Sequence, residues 1–397
     1  MRILVLDTIH GGMEIARFLR EQGHFVDVTD VYRGKTGLDP ATASARVYDL
    51  AVAPVHLNPF HPLLRALSIP VITHHQAVRW ILGTRRPSPL VEITGAIGKT
   101  TTAFALAAVM KNPGILHTSP GTYRYPEKNL IWKSSITPAS LVPAAREAKR
   151  MDGWLIAEES LGLSGSGDLG IITSADDYLF AGGIRHALQE KIRSGQGMTR
   201  LLVAPGIDSP GTLNVEEIVT VDGDKCTYRF GGIAGGFHNQ LLLIDGYRTP
   251  LMLAAAAGCI LGYDPGGLSS FQTIEGRMSA AWQGHILIVD NANSGTNGMT
   301  TINAAIYARE ITGKKTVVLV IGKEPGAVCE GFPAADVGDA IRTICPDQVI
   351  LVGDSYDQVQ MPDGVGVFRC SSFDKGRESA IAMAHEGSIV LAVKSLR

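Results

Sequence analysis

At 397 residues, with 45% hydrophobic and 19% charged residues, the chain is globular and too long for one ordinary core. A formal net charge of -2 offers no basic field to nucleic acid or an anionic lipid surface, so neither is an expected partner. Five scattered cysteines, odd in number and without a C-x-x-C pair, argue against structural zinc and a disulfide framework and fit a reducing, cytoplasmic compartment.

In chain order, residues 3–6, 25–28, 50–53 and 71–73 read as short buried strands, with a helix over 12–22 stopped by Gly23. The first strand begins at once, without the apolar stretch and cleavage site of a signal peptide. Residues 84–89, polar and proline-rich, read as a linker. A second α/β region follows, with strands at 91–94, 154–157, 170–173 and 201–204 and a hairpin of 216–220 with 226–230 turning at Asp222-Gly223-Asp224. A helix over 250–261 closes it. That alanine-rich run is the longest apolar stretch and falls far short of a membrane span. Gly276 reads as a hinge. Strands at 286–289, 317–321, 348–352 and 389–393 then repeat the βα pattern, so three α/β domains are expected.

The strongest local signal is Val91-Glu92-Ile93-Thr94-Gly95-Ala96-Ile97-Gly98-Lys99-Thr100-Thr101. A strand running through a glycine turn into a helix presents backbone N–H groups and a helix dipole to an anion. Lys99 would reach the β- and γ-phosphates of ATP, and the Thr100 hydroxyl would hold magnesium. The motif is two residues shorter than the common G-x-x-x-x-G-K-[ST]. Trp154-Leu155-Ile156-Ala157-Glu158-Glu159-Ser160 supplies the acidic partner such a loop needs, with Glu158 the first choice of metal ligand and Glu159 the second.

These residues resemble the Mur ligase superfamily, whose phosphate loop has the short T-G-x-x-G-K-T-T form. The resemblance implies a three-domain architecture: a central P-loop ATPase domain (88–274) flanked by two Rossmann-like domains, an N-terminal substrate-binding domain (1–87) and a C-terminal one (275–397). It also implies an ATP-dependent ligase that turns a substrate carboxylate into an acyl phosphate. Glu158-Glu159-Ser160 is similar to the family's E-x-S. Asp176-Asp177-Tyr178-Leu179 stands in place of D-H-L-D, which puts Asp177 where a histidine usually binds a second magnesium. The spacing from there implies that Lys191 is the carbamylated lysine, although Gln189-Glu190-Lys191-Ile192-Arg193 also reads as an ordinary exposed helix end. Asn239, in Gly236-Phe237-His238-Asn239, would contact the nucleotide base, Arg277 the ATP phosphates, and Asp290, in Asp290-Asn291-Ala292-Asn293-Ser294, the ribose.

Asp7-Thr8-Ile9-His10-Gly11-Gly12, Thr73-His74-His75-Gln76 and the run from Ser174 to Gly183 are unlike the peptidoglycan ligases. They resemble a branch of the superfamily that completes the nickel tetrapyrrole of methanogenesis by carbon–carbon ring closure on a seco-acid. That resemblance implies a polyanionic nickel tetrapyrrole acid as substrate. Histidines 10, 56, 61, 74 and 75, with Tyr32, Arg33 and Lys35, all follow predicted strands, where an open parallel sheet binds its ligand. His10, Arg33, His56, His74 and His75 are the candidate substrate residues. An amide-forming ligase and a regulatory P-loop ATPase are the alternatives. A GTPase is disfavoured, because the chain has no N-K-x-D motif.

Overall fold

The computed structural model describes residues 1–33, 36–293, 295–324, 332–353, 356, 358–359, 361–362 and 364–395. Lys35, Ser294 and Cys329 lie outside the described residues. Among the described residues no helix is long and apolar enough to cross a membrane.

The chain forms two compact units, Met1–Asn239 with Thr249–Ser270, and Gln240–Arg248 with Phe271–Arg397. In the first, β1 (Arg2–Val5), β2 (Phe25–Val28), β3 (Leu50–Ala53) and β4 (Val71–Thr73) form a sheet of order β2-β1-β3-β4. All its pairings are parallel, so the loops after all four strands share one edge. Helices α1 (Gly12–Glu21), α2 (Pro40–Ala45), α3 (Pro62–Ala66) and α4 (His74–Leu82) connect and cover it. Helix α4 opens with a capping box, in which the Thr73 hydroxyl accepts from the Gln76 amide and the Gln76 side chain accepts from the Thr73 amide.

The same unit holds β5 (Leu90–Thr94), β6 (Gly114–Thr118), β7 (Gly121–Tyr125), β8 (Asn129–Trp132), β9 (Trp154–Glu158), β10 (Leu169–Ile172), a small hairpin of β11 (Leu179–Phe180) and β12 (Arg185–His186), then β13 (Leu201–Val203) and β14 (Leu213–Asn214). Eight of these make one sheet of order β14-β13-β10-β5-β9-β6-β7-β8. Helices α5 (Lys99–Val109), α6 (Leu141–Arg150) and α7 (Ala187–Gly195) pack around it. One continuous core includes Ile3, Phe18, Leu19, Val78 and Ile81 of the first sheet's layer and Leu141, Val142, Ala145 and Leu155 of the second. Each fully buried large apolar side chain contributes about 1.5–3 kcal/mol. This shared core is why the two sheets form one unit. The segment read as a linker is tied down: Asp168 accepts from Arg86 Nη2 (2.7 Å), Ser88 Oγ (3.2 Å) and the Leu90 amide (2.9 Å).

The expected hairpin is part of a three-stranded antiparallel sheet, β15 (Val219–Asp222), β16 (Lys225–Phe230) and β17 (Ile233–His238). Helix α8 (Asp245–Ile260) starts earlier than expected and carries Pro250 within it. The second unit is a six-stranded sheet of β18 (Ser279–Gln283), β19 (Ile286–Asp290), β20 (Val317–Lys323), β21 (Gln348–Val352), β22 (Gly366–Cys370) and β23 (Gly387–Lys394), in the order β18-β19-β23-β20-β21-β22. Only β18 is antiparallel to its neighbour. Every residue of the central β23 is buried, which explains its unbroken apolar run. Helices α9 (Gly298–Thr312), α10 (Ala334–Ile344) and α11 (Phe373–Met383) complete the unit.

Candidate active site

The phosphate-loop sequence forms the turn its glycines require. Gly98, at φ 83°, is the N-cap of α5, and Lys99 is its first residue. A Cβ on Gly95 would lie 2.0 Å from Thr173 Oγ1, so only glycine lets the loop lie this close to β10. Ser174, just past β10, accepts from the Ala96 and Ile97 amides at 3.2 and 3.4 Å, and Thr173 Oγ1 donates to the Ile97 carbonyl at 2.5 Å. Lys99 Nζ folds back onto the Gly95 and Ala96 carbonyls at 3.1 and 3.4 Å. On the other flank of β5, Glu158 Oε2 accepts from Thr100 Oγ1 at 2.8 Å and from the Ser119 amide at 3.0 Å. Thr100 and Glu158 thus set two hard oxygen donors side by side at the mouth of the loop, a donor set suited to a small divalent cation that also binds phosphate. Thr101 is buried in α5.

Glu158 ends β9, and Glu159, whose amide still donates to the Ile93 carbonyl at 2.8 Å, continues its extended course and so faces the opposite side of the sheet. Glu159 lies beside Glu92 of β5, and both are essentially inaccessible at 1% and 0% exposure. Burial, reinforced by the Glu92 charge, pushes the Glu159 carboxyl well above its ordinary range. Glu92 accepts from the Gly165 amide at 3.0 Å and from the Gly167 amide. Of the two acids, Glu158 is the one beside Thr100.

Lys191 is not an exposed helix end: it is 1% exposed in the middle of α7, with its ammonium 4.8 Å from the centre of the Tyr178 ring. Its carbonyl accepts from Ser194 Oγ at 2.7 Å, and that oxygen accepts in turn from the Leu163 amide at 2.9 Å, linking α7 to the loop after Glu159. Asp177 sits at the start of this helix. Its Oδ1 accepts from the Leu188 amide (2.9 Å) and its Oδ2 meets His186 Nδ1 (2.6 Å). The Leu188 amide first, then His186, hold its pKa down. Among the described residues no group of three His, Cys, Asp or Glu side chains is placed to hold a metal ion by itself.

The loops after β1 to β4 bring the first-sheet candidates together. Asp7 accepts from the Ile9, His10 and Gly12 amides at 2.9, 2.7 and 3.1 Å, and a Cβ on Gly12 would lie 2.2 Å from the Asp7 carbonyl oxygen. The His10 ring lies 4.9 Å from Tyr32 and 4.6 Å from His56, and Tyr32 stacks on His56 at 5.6 Å. His74 is buried in the adjoining turn. Burial pushes His56 down to about 4 and His74 down to about 3, so both imidazoles are neutral near pH 7. Arg33 is exposed, its amide bonded to Asp30 Oδ1 at 2.9 Å. His75 differs from this group in its hydrogen-bond partner, although the His56 charge still reaches it. It is buried, and its Nε2 lies 3.0 Å from the Ser160 carbonyl oxygen, past the end of β9.

The remaining candidates lie elsewhere. Asn239, in the first unit, follows β17 and donates from Nδ2 to the Leu268 carbonyl at 2.8 Å. In the second unit, the Arg277 carbonyl accepts from the Tyr247 hydroxyl at 2.5 Å, and Asp290, the last residue of β19, accepts from the Ala292 amide at 2.9 Å. Gly276, read as a hinge, is packed: Asn293 Nδ2 donates to its carbonyl at 2.7 Å, and a Cβ there would meet the Ala292 oxygen at the same distance.

Sequence reasoning passed over Ser119, Thr173, Ser174 and the Asp7 carboxylate. A signal for Ser119 was present, since Thr118-Ser119-Pro120-Gly121 is a turn at a strand end. The strand before it went unread.

Residues 282–395 match the family described as coenzyme F430 synthetase CfbE, C-terminal domain. Coenzyme F(430) synthetase of Methanosarcina acetivorans is 29% identical, over 100% of this chain and 99% of its own length. Among solved structures, Escherichia coli FolC in complex with ADP superposes with a TM-score of 0.62 at 14% identity, covering 81% of this chain and 90% of its own. MurF from Acinetobacter baumannii gives 0.57 at 12%, covering 96% and 94%. The chain has the α/β fold of the Mur ligases and FolC, and from end to end its sequence is similar to coenzyme F430 synthetase.

Proposed function

We propose that the chain is an ATP-dependent Mur-type ligase that carries out the coenzyme F430 synthetase reaction. ATP phosphorylates a propionate carboxylate of a nickel seco-tetrapyrrole acid. A ring carbon of the same molecule then attacks the acyl phosphate, closing a six-membered carbocycle that bears a ketone, and ADP and phosphate leave. The observation that carries this reading is similarity over the full length of both proteins, in a chain whose phosphate loop puts Thr100 against Glu158 at 2.8 Å.

In this scheme the amides of residues 95–101 and the Lys99 ammonium bind the phosphates. Thr100 and Glu158 would hold magnesium, which when bound neutralises charge on the transferring phosphoryl group. Asp177 is proposed as a second acidic ligand. Its two present donors leave lone pairs on both oxygens. Lys191 is proposed to carry a carbamate, and Asn239, Asp290 and Arg277 to meet base, ribose and phosphates. The division into domains 1–87, 88–274 and 275–397 belongs to the same proposal. His10, His56 and His74 with the exposed Arg33 would receive the substrate, the guanidinium pairing with its carboxylates.

Intramolecular closure replaces a second substrate by proximity, so no amine is needed. Incubated with the seco-acid, ATP and magnesium alone, the enzyme is expected to release one phosphate per substrate and give a product lighter by one water. Strict dependence on an added amine, with the matching mass gain, would replace this reading with an amide ligase.

A further inference from the structure

The Ser160 peptide is held from several directions. Its amide donates to the Ile136 carbonyl at 3.0 Å, leaving the sheet ladder that the Glu159 amide still joins through Ile93 at 2.8 Å. The next residue, Leu161, is left-handed at φ 61°, an unusual conformation for a branched side chain, and packs against the cluster of Val55, Phe180, Ala181 and Ala187. The third hold is His75. A carbonyl only accepts, so Nε2 is the protonated ring nitrogen and donates at 3.0 Å. Burial, pushing His75 down to about 4, keeps the ring neutral and the tautomer fixed.

We propose that His75 is a positioning residue: its hydrogen bond to the Ser160 carbonyl fixes the chain just past β9, so that Glu158 stays against Thr100 in the cation-binding edge of the phosphate loop. This deepens the proposed function, since it rests on Glu158 serving magnesium and ATP. It gives His75 a role different from that proposed for His10, His56 and His74. The first turn of α4 then serves two partners: His74 lies close enough to Asp7 and His56 to feel their charge, while His75, which also feels His56, hydrogen-bonds Ser160.

Removing the donor leaves a part-buried carbonyl without this partner, and the segment past β9, two residues from Glu158, relaxes. A displacement near 1 Å at a catalytic group costs about 100-fold. The test compares the full-length enzyme with His75→Leu and His75→Gln, because the Gln side-chain amide can donate to the same carbonyl. Calorimetric binding of magnesium with a non-hydrolysable ATP analogue needs no carboxylate substrate, so its outcome stands apart from the identity of that substrate. His75→Leu is expected to weaken this binding about tenfold and lower kcat by about 30- to 100-fold, with the KM for the tetrapyrrole acid within about twofold of wild type. His75→Gln should recover most of both losses. The inference is overturned if Gln, at an unchanged melting temperature, is as defective as Leu, or if Leu binds the nucleotide normally. It is equally overturned if both variants raise the substrate KM alone, which would return His75 to the crevice.

Discussion

Two edges of the first unit are built by different physics. At the phosphate loop, charge is assembled in advance: Lys99 lies on the loop carbonyls and Glu158 beside Thr100, all at the end of one strand or its neighbour. At the first-sheet edge, the buried groups are imidazoles kept neutral by burial. His56 Nε2 and His74 Nε2 find no hydrogen-bond partner among the described residues. A triphosphate presents the same anion every time, so amides and one cation suffice. The rings at positions 10, 32, 56 and 74 come from four separate loops, and a crevice assembled in this way would take its specificity from which polar groups a ligand satisfies.

The largest expected effect tests whether the edges act separately. Glu158→Ala removes an oxygen donor from the phosphate side and leaves the Thr100 hydroxyl and Ser119 amide without their acceptor. Loss of such an electrostatic contact should lower kcat about 10³-fold. Binding of the proposed tetrapyrrole acid, followed by tryptophan fluorescence, should stay within about threefold if the two edges act independently. Comparable loss of both would show that the edges form one cooperative site and break the contrast.

Next comes Lys191, buried in α7. Lys191→Ala should cost about 100-fold in kcat, and short carboxylates such as formate should restore part of it by entering the space left behind. Activity within about threefold of wild type would assign Lys191 to packing over Tyr178 alone. Full loss with no rescue, at an unchanged melting temperature, would leave the lysine essential but uncarbamylated.

How much of this was legible in the sequence follows from the same contrast. The phosphate loop and Glu158 were read because strand, turn and helix are contiguous and their chemistry depends on local backbone geometry. The parallel strands were read because two-sided burial leaves continuous apolar runs, as in β23. β7 and β8 escaped, since Tyr123, Arg124 and Asn129 mix polar groups into this antiparallel edge, and β6 escaped because His117 and Thr118 shorten its apolar run. Lys191 looked like a surface residue because its neighbours Glu190 and Arg193 are charged, and only the contact with Tyr178 reveals its burial. His74 and His75 read as a pair, yet adjacent helix residues point about 100° apart, and nothing local says that one of them meets Ser160.

The smallest effect sharpens the contrast through pH. Buried histidines and a buried acid must respond in opposite directions. His56, His74 and His75 have folded pKa values of about 4, 3 and 4, below the ordinary 6.5. Their neutral forms favour the fold, so this stability is fully present above 6.5 and is lost as pH falls towards 4. Glu159 has the reverse sign. Burial and the neighbouring Glu92 raise its folded pKa well above 4.5, so the folded chain retains a proton that the unfolded chain releases. The associated stability is complete below 4.5 and drains away as pH rises towards the folded value. Glu159→Gln keeps a donor beside Glu92 without a proton to lose. It should therefore raise the melting temperature at pH 8 by about 2 °C or more, with a change near zero at pH 5. The acid-side decline set by the histidines should be untouched. A uniform drop at both pH values would mean that glutamine fails to pack there and that the Glu92–Glu159 pair holds no shared proton. An unchanged alkaline limb would place the deprotonating group elsewhere and remove the opposition in sign between the buried histidines and the buried acid.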